Sequence, residues 1–304
     1  MKHAADIIAD TASCAYCPTL CQHACPVVFG EATDTVTPQA KMSLARWMAQ
    51  GRARIDAESA SVLHACTGCG ACTDACRHHV DVPGVLQLAR EACVDEGVTP
   101  HPAPEVPIET DDQAIMPPGV SGIELWAAGY RDRFVQVARA AVRRWARRSE
   151  LVFASAADAR CVRGLYPELG IEVDRPVVLA SERVGARTSE RVQGRVAYFE
   201  ACHIARGGAD AEMIRGNAER LAPDGGFVAL RWRGETATCC GGSGVWKSRD
   251  PEAATRAAER ILDSAVLHGA TTLVVGCLGC ARHLGQATGD RDLVVRSIGT
   301  GDEP

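Results

Sequence analysis

The chain has 304 residues, of which 46% are hydrophobic, 23% are charged and 5% are aromatic, and its formal net charge is -5 at pH 7. This composition excludes an intrinsically disordered chain, and the acidic balance offers no broad basic surface for nucleic acid. The length suits one large domain or two modest ones.

The 15 cysteines are the unusual feature of the composition. Residues 1–13 have no apolar segment like that of a secretory signal, and no stretch approaches 18 apolar residues. We therefore expect a cytoplasmic protein without a transmembrane span. Because the cytosol keeps thiols reduced, a disulfide framework is not expected. Thirteen of the cysteines lie in three groups, which indicates ligands rather than scattered core residues.

Residues 1–98 predict a helical domain without strands. Apolar residues recur at helical spacing over three segments, which are 39–50, 54–65 and 83–96. The first of these helices is expected to begin after Pro38 and to stop at Gly51, since proline favours the first helical position and glycine ends a helix.

Residues 99–150 predict a linker followed by a basic helix. Six of the 15 prolines fall between Pro100 and Pro118, which favours an irregular segment. Over 131–148, seven arginines accompany an apolar stripe formed by Phe134, Ala138, Ala141 and Trp145. We expect a solvent-exposed helix packed on its own domain. The alternative is that its arginines bind a partner protein or an anionic membrane surface, which would make the protein peripheral to the membrane.

Residues 151–304 predict an α/β domain. Helical segments at 208–222 and 251–268 alternate with short β-rich runs, at 151–154, 176–179, 195–199, 227–230, 272–275 and 293–295. This alternation is typical of a parallel sheet with right-handed crossovers, so the predicted fold class is α + α/β. Residues 151–180 repeat the strand–helix–strand order of 195–230 without its cysteines.

The first two cysteine groups have the spacing of iron–sulfur ligands. They are Cys14, Cys17, Cys21 and Cys25, and Cys66, Cys69, Cys72 and Cys76. In two-cluster ferredoxins the fourth cysteine of such a run binds the other cluster. This logic predicts two [4Fe–4S] cubanes, one held by Cys14, Cys17, Cys21 and Cys76, the other by Cys66, Cys69, Cys72 and Cys25.

Structural zinc is the alternative for these two groups, because it also uses thiolates and Cys-x2-Cys pairs. Zinc sites usually combine two separated pairs, and four cysteines within about 12 residues suit them less well. The 40 residues between Cys25 and Cys66 read as helix, which favours a helical ferredoxin-like module over a small β-ferredoxin.

The third group follows the predicted strands of the C-terminal domain. Cys202 comes after the run ending at Phe199, and Cys277 and Cys280 come after the run ending at Val275; Cys239 and Cys240 lie in a glycine-rich loop. Ligands of open α/β sheets collect beyond the carboxyl ends of the strands, so we expect all five thiols on one rim. Glycines at 241, 242 and 244 are expected to let the backbone approach a bulky cofactor.

These residues carry a family resemblance. Cys202, Cys239-Cys240-Gly241 and Cys277-Leu278-Gly279-Cys280 resemble the cysteine-rich CCG domain, and the N-terminal half resembles the helical double-cluster module found with it. Together they are similar to the heterodisulfide reductase D-like and glycolate oxidase iron–sulfur subunit superfamily. The resemblance implies a third, noncubane [4Fe–4S] cluster on those five cysteines. Many members carry two CCG motifs, whereas this chain has one, and 151–194 looks like a first half that has lost its ligands.

The leading functional prediction is an iron–sulfur electron-transfer subunit of an oxidoreductase complex. The chain shows no flavin or nicotinamide motif, so a flavoprotein dehydrogenase or an electron-transfer flavoprotein is the expected partner, with a quinone or a disulfide substrate as a further acceptor. The alternative is a catalytic disulfide or heterodisulfide reductase subunit acting at the noncubane cluster. No catalytic residue is predicted. Cys93 and Cys161 are expected to be buried apolar residues, and His203 and Trp246 to be either packed in the core or next to a cluster.

Overall fold

The N-terminal part is entirely helical in the computed structural model, which describes residues 3–108, 114–183, 192–207 and 209–300. Its α-helices are α1 (Ala4–Asp10), α2 (Pro26–Glu31), α3 (Pro38–Ala49), α4 (Ala57–His64), α5 (Ala71–Asp74) and α6 (Val82–Asp95). The three longest of these confirm the helices predicted over 39–50, 54–65 and 83–96. No strand occurs in the described residues of 3–98.

Helix α3 forms the centre of this part. Pro38 occupies its first turn, and the Thr37 hydroxyl accepts a hydrogen bond from the Ala40 N–H at 3.1 Å, which satisfies an otherwise unpaired backbone donor. Its apolar face is buried in one core cluster with α4 and α6, where Met42, Leu63 and Leu86 are fully buried. The helices therefore form a small core of their own.

The segment between the two halves packs onto the C-terminal domain. Beyond the proline-rich stretch lie α7 (Ile123–Ala127) and α8 (Arg131–Arg144). Phe134, Ala138, Ala141 and Trp145 are buried in the main core, as the stripe predicted, while Arg143 and Arg144 are exposed. The expectation of a basic helix packed on its own domain is confirmed.

The C-terminal part is built on parallel strands. Its elements are β1 (Leu151–Phe153), α9 (Ala156–Arg160), α10 (Tyr166–Glu168), β2 (Val177–Leu179), β3 (Val196–Phe199), α11 (Cys202–Ala205), α12 (Ala211–Leu221), β4 (Phe227–Ala229), α13 (Trp246–Arg249), α14 (Pro251–Leu267), β5 (Thr272–Val275), α15 (Leu278–Gln286) and β6 (Val294–Ser297). All six predicted strands are present, and the fold is α + α/β.

The strands form two sheets rather than one. The larger sheet has the order β4-β3-β5-β6, and all of its neighbouring strands are parallel. Strands β1 and β2 pair only with each other and with an isolated bridge from Met116 to Phe153, among the strands described. The cysteine-poor segment thus has a small sheet of its own.

The two halves are in direct contact through α2 and α14. Gly30 allows the helices to approach closely, because a Cβ atom there would lie 2.4 Å from the Ala253 carbonyl oxygen. The Glu31 carboxylate pairs with Arg249 and accepts a hydrogen bond from the Trp246 indole N–H at 2.6 Å. These contacts hold the helical part against α13 and α14, the helices that follow the loop of Cys239 and Cys240.

Candidate metal centres

The first thiol group combines three cysteines of the first run with the last cysteine of the second. A short 3-10 turn, Cys14–Tyr16, and the following loop position Cys14, Cys17 and Cys21, and Cys76 comes from the loop after α5. Burial and the neighbouring Cys76 and Cys17 thiols raise the pKa of Cys14 to about 11. Burial, Cys17, Cys76 and Cys14 likewise raise the pKa of Cys21 to about 11. The four side chains therefore share one electrostatic environment.

The second thiol group combines the remaining four cysteines of the two runs. Cys25, Cys66, Cys69 and Cys72 line one small cavity between α2, α3 and the loop before α5. Burial raises the pKa of Cys72, and the Cys69, Cys66 and Cys25 thiols add to that increase. Cys25 stands apart from its own run because it precedes Pro26, which begins α2 and turns the chain. Each run thus sends its fourth cysteine to the other group.

Lys41 lies in the same cavity, and the cysteine pattern did not indicate it. Its side chain is 1% exposed, and its ammonium donates a hydrogen bond to the Ala65 carbonyl oxygen. Burial raises the pKa of Cys25, and the positive charge of Lys41 is the largest opposing influence. A charged residue on the apolar face of α3, one turn before Ala45, was the signal in the sequence.

The third thiol group lies at the carboxyl ends of the strands, as predicted. Cys202 opens α11 directly after β3, and Cys277 precedes α15 directly after β5. These strands are adjacent and parallel, so their ends meet at the same edge. Cys239 and Cys240 reach this edge from the loop that follows β4, and Cys280 lies in the first turn of α15. All five are buried.

The sulfur atoms of the third group contact each other in a chain. A hydrogen bond with Cys239 is the largest cause that raises the pKa of Cys202, and burial raises this pKa further. Hydrogen bonds from Cys239 and Cys280 lower the pKa of Cys240, and the bond from Cys280 lowers the pKa of Cys277 to about 6. Five buried thiols in mutual contact supply soft donor atoms of the kind that iron–sulfur clusters use.

The third group also contacts the second. A hydrogen bond between the Cys69 and Cys239 side chains, followed by burial, raises the pKa of Cys69 well above its usual value. Cys69, Ala71, Cys202 and Cys239 form one buried cluster. The thiols of the N-terminal helices and those of the C-terminal sheet therefore meet without an intervening residue.

Arg206 holds these two loops together. Its guanidinium pairs with Asp74 on α5 and donates hydrogen bonds to the carbonyl oxygens of Cys69 at 3.3 Å and Ala237 at 2.7 Å. The Arg206 side chain is only 8% exposed. Nothing in the local sequence distinguishes it from other arginines, because its role depends on contacts between residues more than 130 positions apart.

Backbone N–H groups point at several of the sulfurs. The Ala156 N–H donates to the Cys277 Sγ at 3.4 Å, and the N–H groups of Gly241 and Gly242 donate to the Cys239 and Cys240 Sγ atoms at 3.3 and 3.4 Å. Such bonds favour the thiolate form and tune cluster potentials. Ala156 belongs to the cysteine-poor segment, which thus supports the third group although it supplies no thiol to it.

The glycines after Cys240 serve close packing of the protein itself. A Cβ atom on Gly242 would lie 2.7 Å from the His283 side chain of α15, and one on Gly241 would lie 2.9 Å from the Ala254 carbonyl oxygen of α14. Gly241 also has a φ of +92°, which favours glycine. Gly241 and Gly242 therefore permit close contact with α14 and α15, and their expected role in the approach to a cofactor stays a prediction.

Three of the other residues noted in the sequence are buried in the core, and the fourth, His203, lies beside the third thiol group. Cys93 and Cys161 are buried in the two main core clusters, as predicted. Trp246 is fully buried between α2 and α14, so it has a packing role. His203 accepts a hydrogen bond from Arg160 at 3.4 Å, and burial, with Arg160 and Arg206 nearby, lowers its pKa to about 3.

Among residues 3–108, 114–183, 192–207 and 209–300, no three His, Cys, Asp or Glu side chains form a ligand set for a single metal ion. In the same part of the chain, no helix is both long and apolar enough to cross a membrane.

Comparison with known families decides what kind of chain this is. Residues 10–80 match the family model of a 4Fe-4S dicluster domain, and residues 196–285 match that of a cysteine-rich domain, abbreviated CCG. This is an iron–sulfur protein. Its architecture is that of the heterodisulfide reductase D-like and glycolate oxidase iron–sulfur subunit superfamily. The chain gives no match to any curated protein or solved structure.

The matched regions contain all three thiol groups. Every cysteine of the first two groups lies within 10–80, and every cysteine of the third lies within 196–285. The linker, the basic helix and the small β1–β2 sheet fall between the two matches. The candidate ligands of the iron–sulfur protein thus lie in the 4Fe-4S dicluster domain and the cysteine-rich domain.

Proposed function

We propose that this iron–sulfur protein is an electron-transfer subunit of an oxidoreductase complex, which relays electrons between a flavoprotein partner and an acceptor. The observation that carries the proposal is the contact between the Cys69 and Cys239 side chains. It joins the thiols of the 4Fe-4S dicluster domain to those of the cysteine-rich domain. Since electron tunnelling slows steeply with distance, such contact is what a relay needs.

The proposal assigns the thiols to three centres. Cys14, Cys17, Cys21 and Cys76 would hold one [4Fe–4S] cubane, and Cys25, Cys66, Cys69 and Cys72 the other. Cys202, Cys239, Cys240, Cys277 and Cys280 would hold a third, noncubane [4Fe–4S] cluster. The small cavity at the second set supports this assignment, because all four of its cysteines line it. When bound, iron–sulfur clusters supply one-electron redox chemistry.

The first thiol group is accessible to solvent, whereas the third is enclosed by the protein. All four thiols of the first group are partly exposed, whereas those of the third are buried. Tyr16 and Leu20, which flank this group, are 94% and 63% exposed. This asymmetry supports a partner that exchanges electrons at the first group, with a flavoprotein dehydrogenase or an electron-transfer flavoprotein as the expected class.

Metal analysis of anaerobically purified protein tests the assignment. We expect about 12 irons with matching sulfide, against about 8 if only the cubanes are present. Cys239→Ser is expected to remove the third centre from the EPR spectrum and to lower the electron uptake in a dithionite titration by one centre. Cys93→Ser, at a buried cysteine outside the three groups, is the matched control and is expected to change neither.

Two results would contradict the relay. A colourless protein with zinc and no iron would show that the thiols hold structural zinc. Disulfide-dependent reoxidation of the reduced protein, lost in Cys239→Ser, would instead support the catalytic disulfide or heterodisulfide reductase. The single cysteine-rich match in 196–285 favours the relay, since the resemblance to heterodisulfide reductases implies two such clusters facing each other for disulfide cleavage.

A further inference from the structure

A cavity of about 510 Å³ lies between the two domains and the linker helix α7, beside the thiol groups but separate from them. Thr67 and Gly68, from the loop between Cys66 and Cys69, form one wall. His203 and the Ser243–Gly244 turn form another. None of the thirteen candidate ligand cysteines is among the described residues that line it. The volume lies within the range of small-molecule pockets.

Gln87 supplies a buried polar group to the cavity wall. It lies on α6, is 4% exposed and lines the cavity. Within the part of the chain that the structure describes, neither its amide nitrogen nor its amide oxygen has a hydrogen-bond partner. A buried amide without partners costs free energy, so a residue of this kind is usually satisfied by a bound molecule or by water. It can donate to and accept from a ligand.

Arg160 supplies the charge. It ends α9 and lines the cavity, and its described hydrogen bond goes to His203, a neutral acceptor, rather than to a carboxylate. The other arginine of the wall, Arg90, is occupied by the carbonyl oxygens of Leu63 and Ala127. Arg160 is thus the lining cation whose charge a ligand can neutralise.

The acidic side chains of the wall are placed differently. Asp10, Asp81 and Glu168 are exposed, and so lie toward solvent. Glu124 is half-buried, and its carboxyl group accepts a hydrogen bond from the Gly244 N–H at 3.4 Å. Trp126, Leu88 and Ile123 make the remaining wall apolar. Besides the backbone-bound Glu124 and Arg90, the cavity therefore offers a ligand apolar surface, the Gln87 amide and the Arg160 guanidinium.

We propose that this cavity binds a small organic carboxylate with a flat apolar body, its carboxylate paired with Arg160 and a polar substituent paired with Gln87. A planar guanidinium binds a carboxylate through two parallel hydrogen bonds, and the amide fixes the orientation of the ligand. No candidate ligand cysteine lines the site, although Thr67 and Gly68 of its wall lie between two of them, so metal content is measured alongside binding.

Isothermal titration of the cluster-loaded full chain tests the proposal. The probe is 4-carbamoylbenzoate, and the comparison compounds are its neutral diamide, terephthalamide, and the cation benzylamine. We expect the carboxylate to bind with a dissociation constant below about 1 mM and at least tenfold more tightly than either comparison compound. Arg160→Gln is expected to weaken binding about tenfold or more, and Gln87→Leu about fivefold.

Arg139→Gln, at an exposed arginine of α8, is the matched control and is expected to leave binding unchanged. The iron content of each variant is measured in parallel, and equal values exclude an indirect effect through cluster loss. Equal binding of the three probes, no binding of the carboxylate, or full affinity in Arg160→Gln with unchanged iron would each overturn the proposal.

Discussion

A single buried lysine sets the charge around the second thiol group. Lys41 is 1% exposed and lies among Cys25, Cys66, Cys69 and Cys72. No carboxylate is paired with it in the described part of the chain, where its hydrogen bond goes to the Ala65 carbonyl oxygen. Burial of an unpaired ammonium is costly, so a negatively charged neighbour is the natural compensation. A cluster bound by the neighbouring thiolates, as proposed above, would provide that negative charge.

Lys41→Met is therefore expected to lower the reduction potential of the centre held by the second group. Reduction adds a negative charge, which the ammonium stabilises, so removing it disfavours the reduced state. We expect a decrease of roughly 50–100 mV, which corresponds to about 1–2 kcal/mol of charge interaction. EPR-monitored potentiometric titration measures it.

Lys247→Met is the control for Lys41→Met, because Lys247 lies on α13 and its ammonium donates to Gln286. Its substitution is expected to leave the potential of the second centre unchanged. An unchanged potential in Lys41→Met, with full iron content, would show that the lysine has only a packing role.

Glu124 makes the stability of the protein depend on pH. Burial raises the pKa of its carboxyl group to about 6, and Asp158 adds to that increase. Because its pKa is higher in the folded than in the unfolded protein, protonation of Glu124 favours the folded state. This contribution to the free energy of unfolding is fully present below about pH 4.5 and is lost as the pH rises through 6. Above pH 7 the loss amounts to roughly 2 kcal/mol.

Glu124→Gln is expected to remove this loss, because the amide carries no charge and can still accept from the Gly244 N–H. Thermal unfolding at pH 5.5 and pH 8 should show the variant more stable than the parent mainly at pH 8, by roughly 2–4 °C per kcal/mol. Glu168→Gln, at an exposed rim position, is the control and should follow the parent at both values. A variant that is less stable than the parent at pH 8 would contradict the argument.

At the scale of elements, the contact between α2 and α14 depends on the absence of a side chain at Gly30. An added methyl group there would lie 2.4 Å from the Ala253 carbonyl oxygen and 2.9 Å from the Trp246 ring. Gly30→Ala is therefore expected to destabilise the protein by about 1–3 kcal/mol through overpacking. Thermal unfolding of the cluster-loaded protein measures this.

Gly216→Ala provides a matched comparison for Gly30→Ala. Gly216 also lies within a helix, α12. A Cβ atom added there would have no neighbouring atom nearer than the end of the Arg220 side chain, at 4.0 Å. Since alanine favours helices, this substitution is expected to be neutral or to stabilise by about 0.4–1 kcal/mol. Equal changes in the free energy of unfolding for the two substitutions would show that α2 and α14 do not pack closely at Gly30.

The elements themselves were largely predictable, because hydrophobic periodicity and proline–glycine boundaries are local signals. The helix predicted over 39–50 is observed at Pro38–Ala49, and the six predicted strands are all present. The separation of β1 and β2 from the larger sheet was not predicted. It depends on which strands pair across the fold, and short β-rich runs do not encode their partners.

The same limit applies to the candidate site. The cysteine spacing indicated which thiols would come together, since short loops bring neighbouring ligands to one place. Arg206 and Gln87 were missed, because each becomes notable only through residues distant in the chain. Arg206 reaches Asp74 and Ala237, and Gln87 faces a cavity whose other walls come from α7, α9 and the Ser243–Gly244 turn.

At the scale of the whole molecule, Arg206 joins the two cluster-binding domains at the point where their thiols meet. Its substitution by methionine would leave Asp74 without its ion-pair partner and the Ala237 carbonyl oxygen without a donor. We expect Arg206→Met to destabilise the protein by about 2–4 kcal/mol, since loss of one member of a largely buried pair leaves the other uncompensated. Thermal unfolding measures this.

Electron exchange between the domains is expected to slow in Arg206→Met, because the loops of Cys69 and Cys239 lose their common tether. Loss of the magnetic interaction between the second and third centres in the EPR spectrum, at unchanged iron content, is the expected signature. Arg291→Met removes a more exposed ion pair with Asp263 and should preserve that interaction. If the interaction survives in Arg206→Met as well, the Cys69–Cys239 contact is maintained by the cluster ligands themselves, and the tether is not needed for the relay.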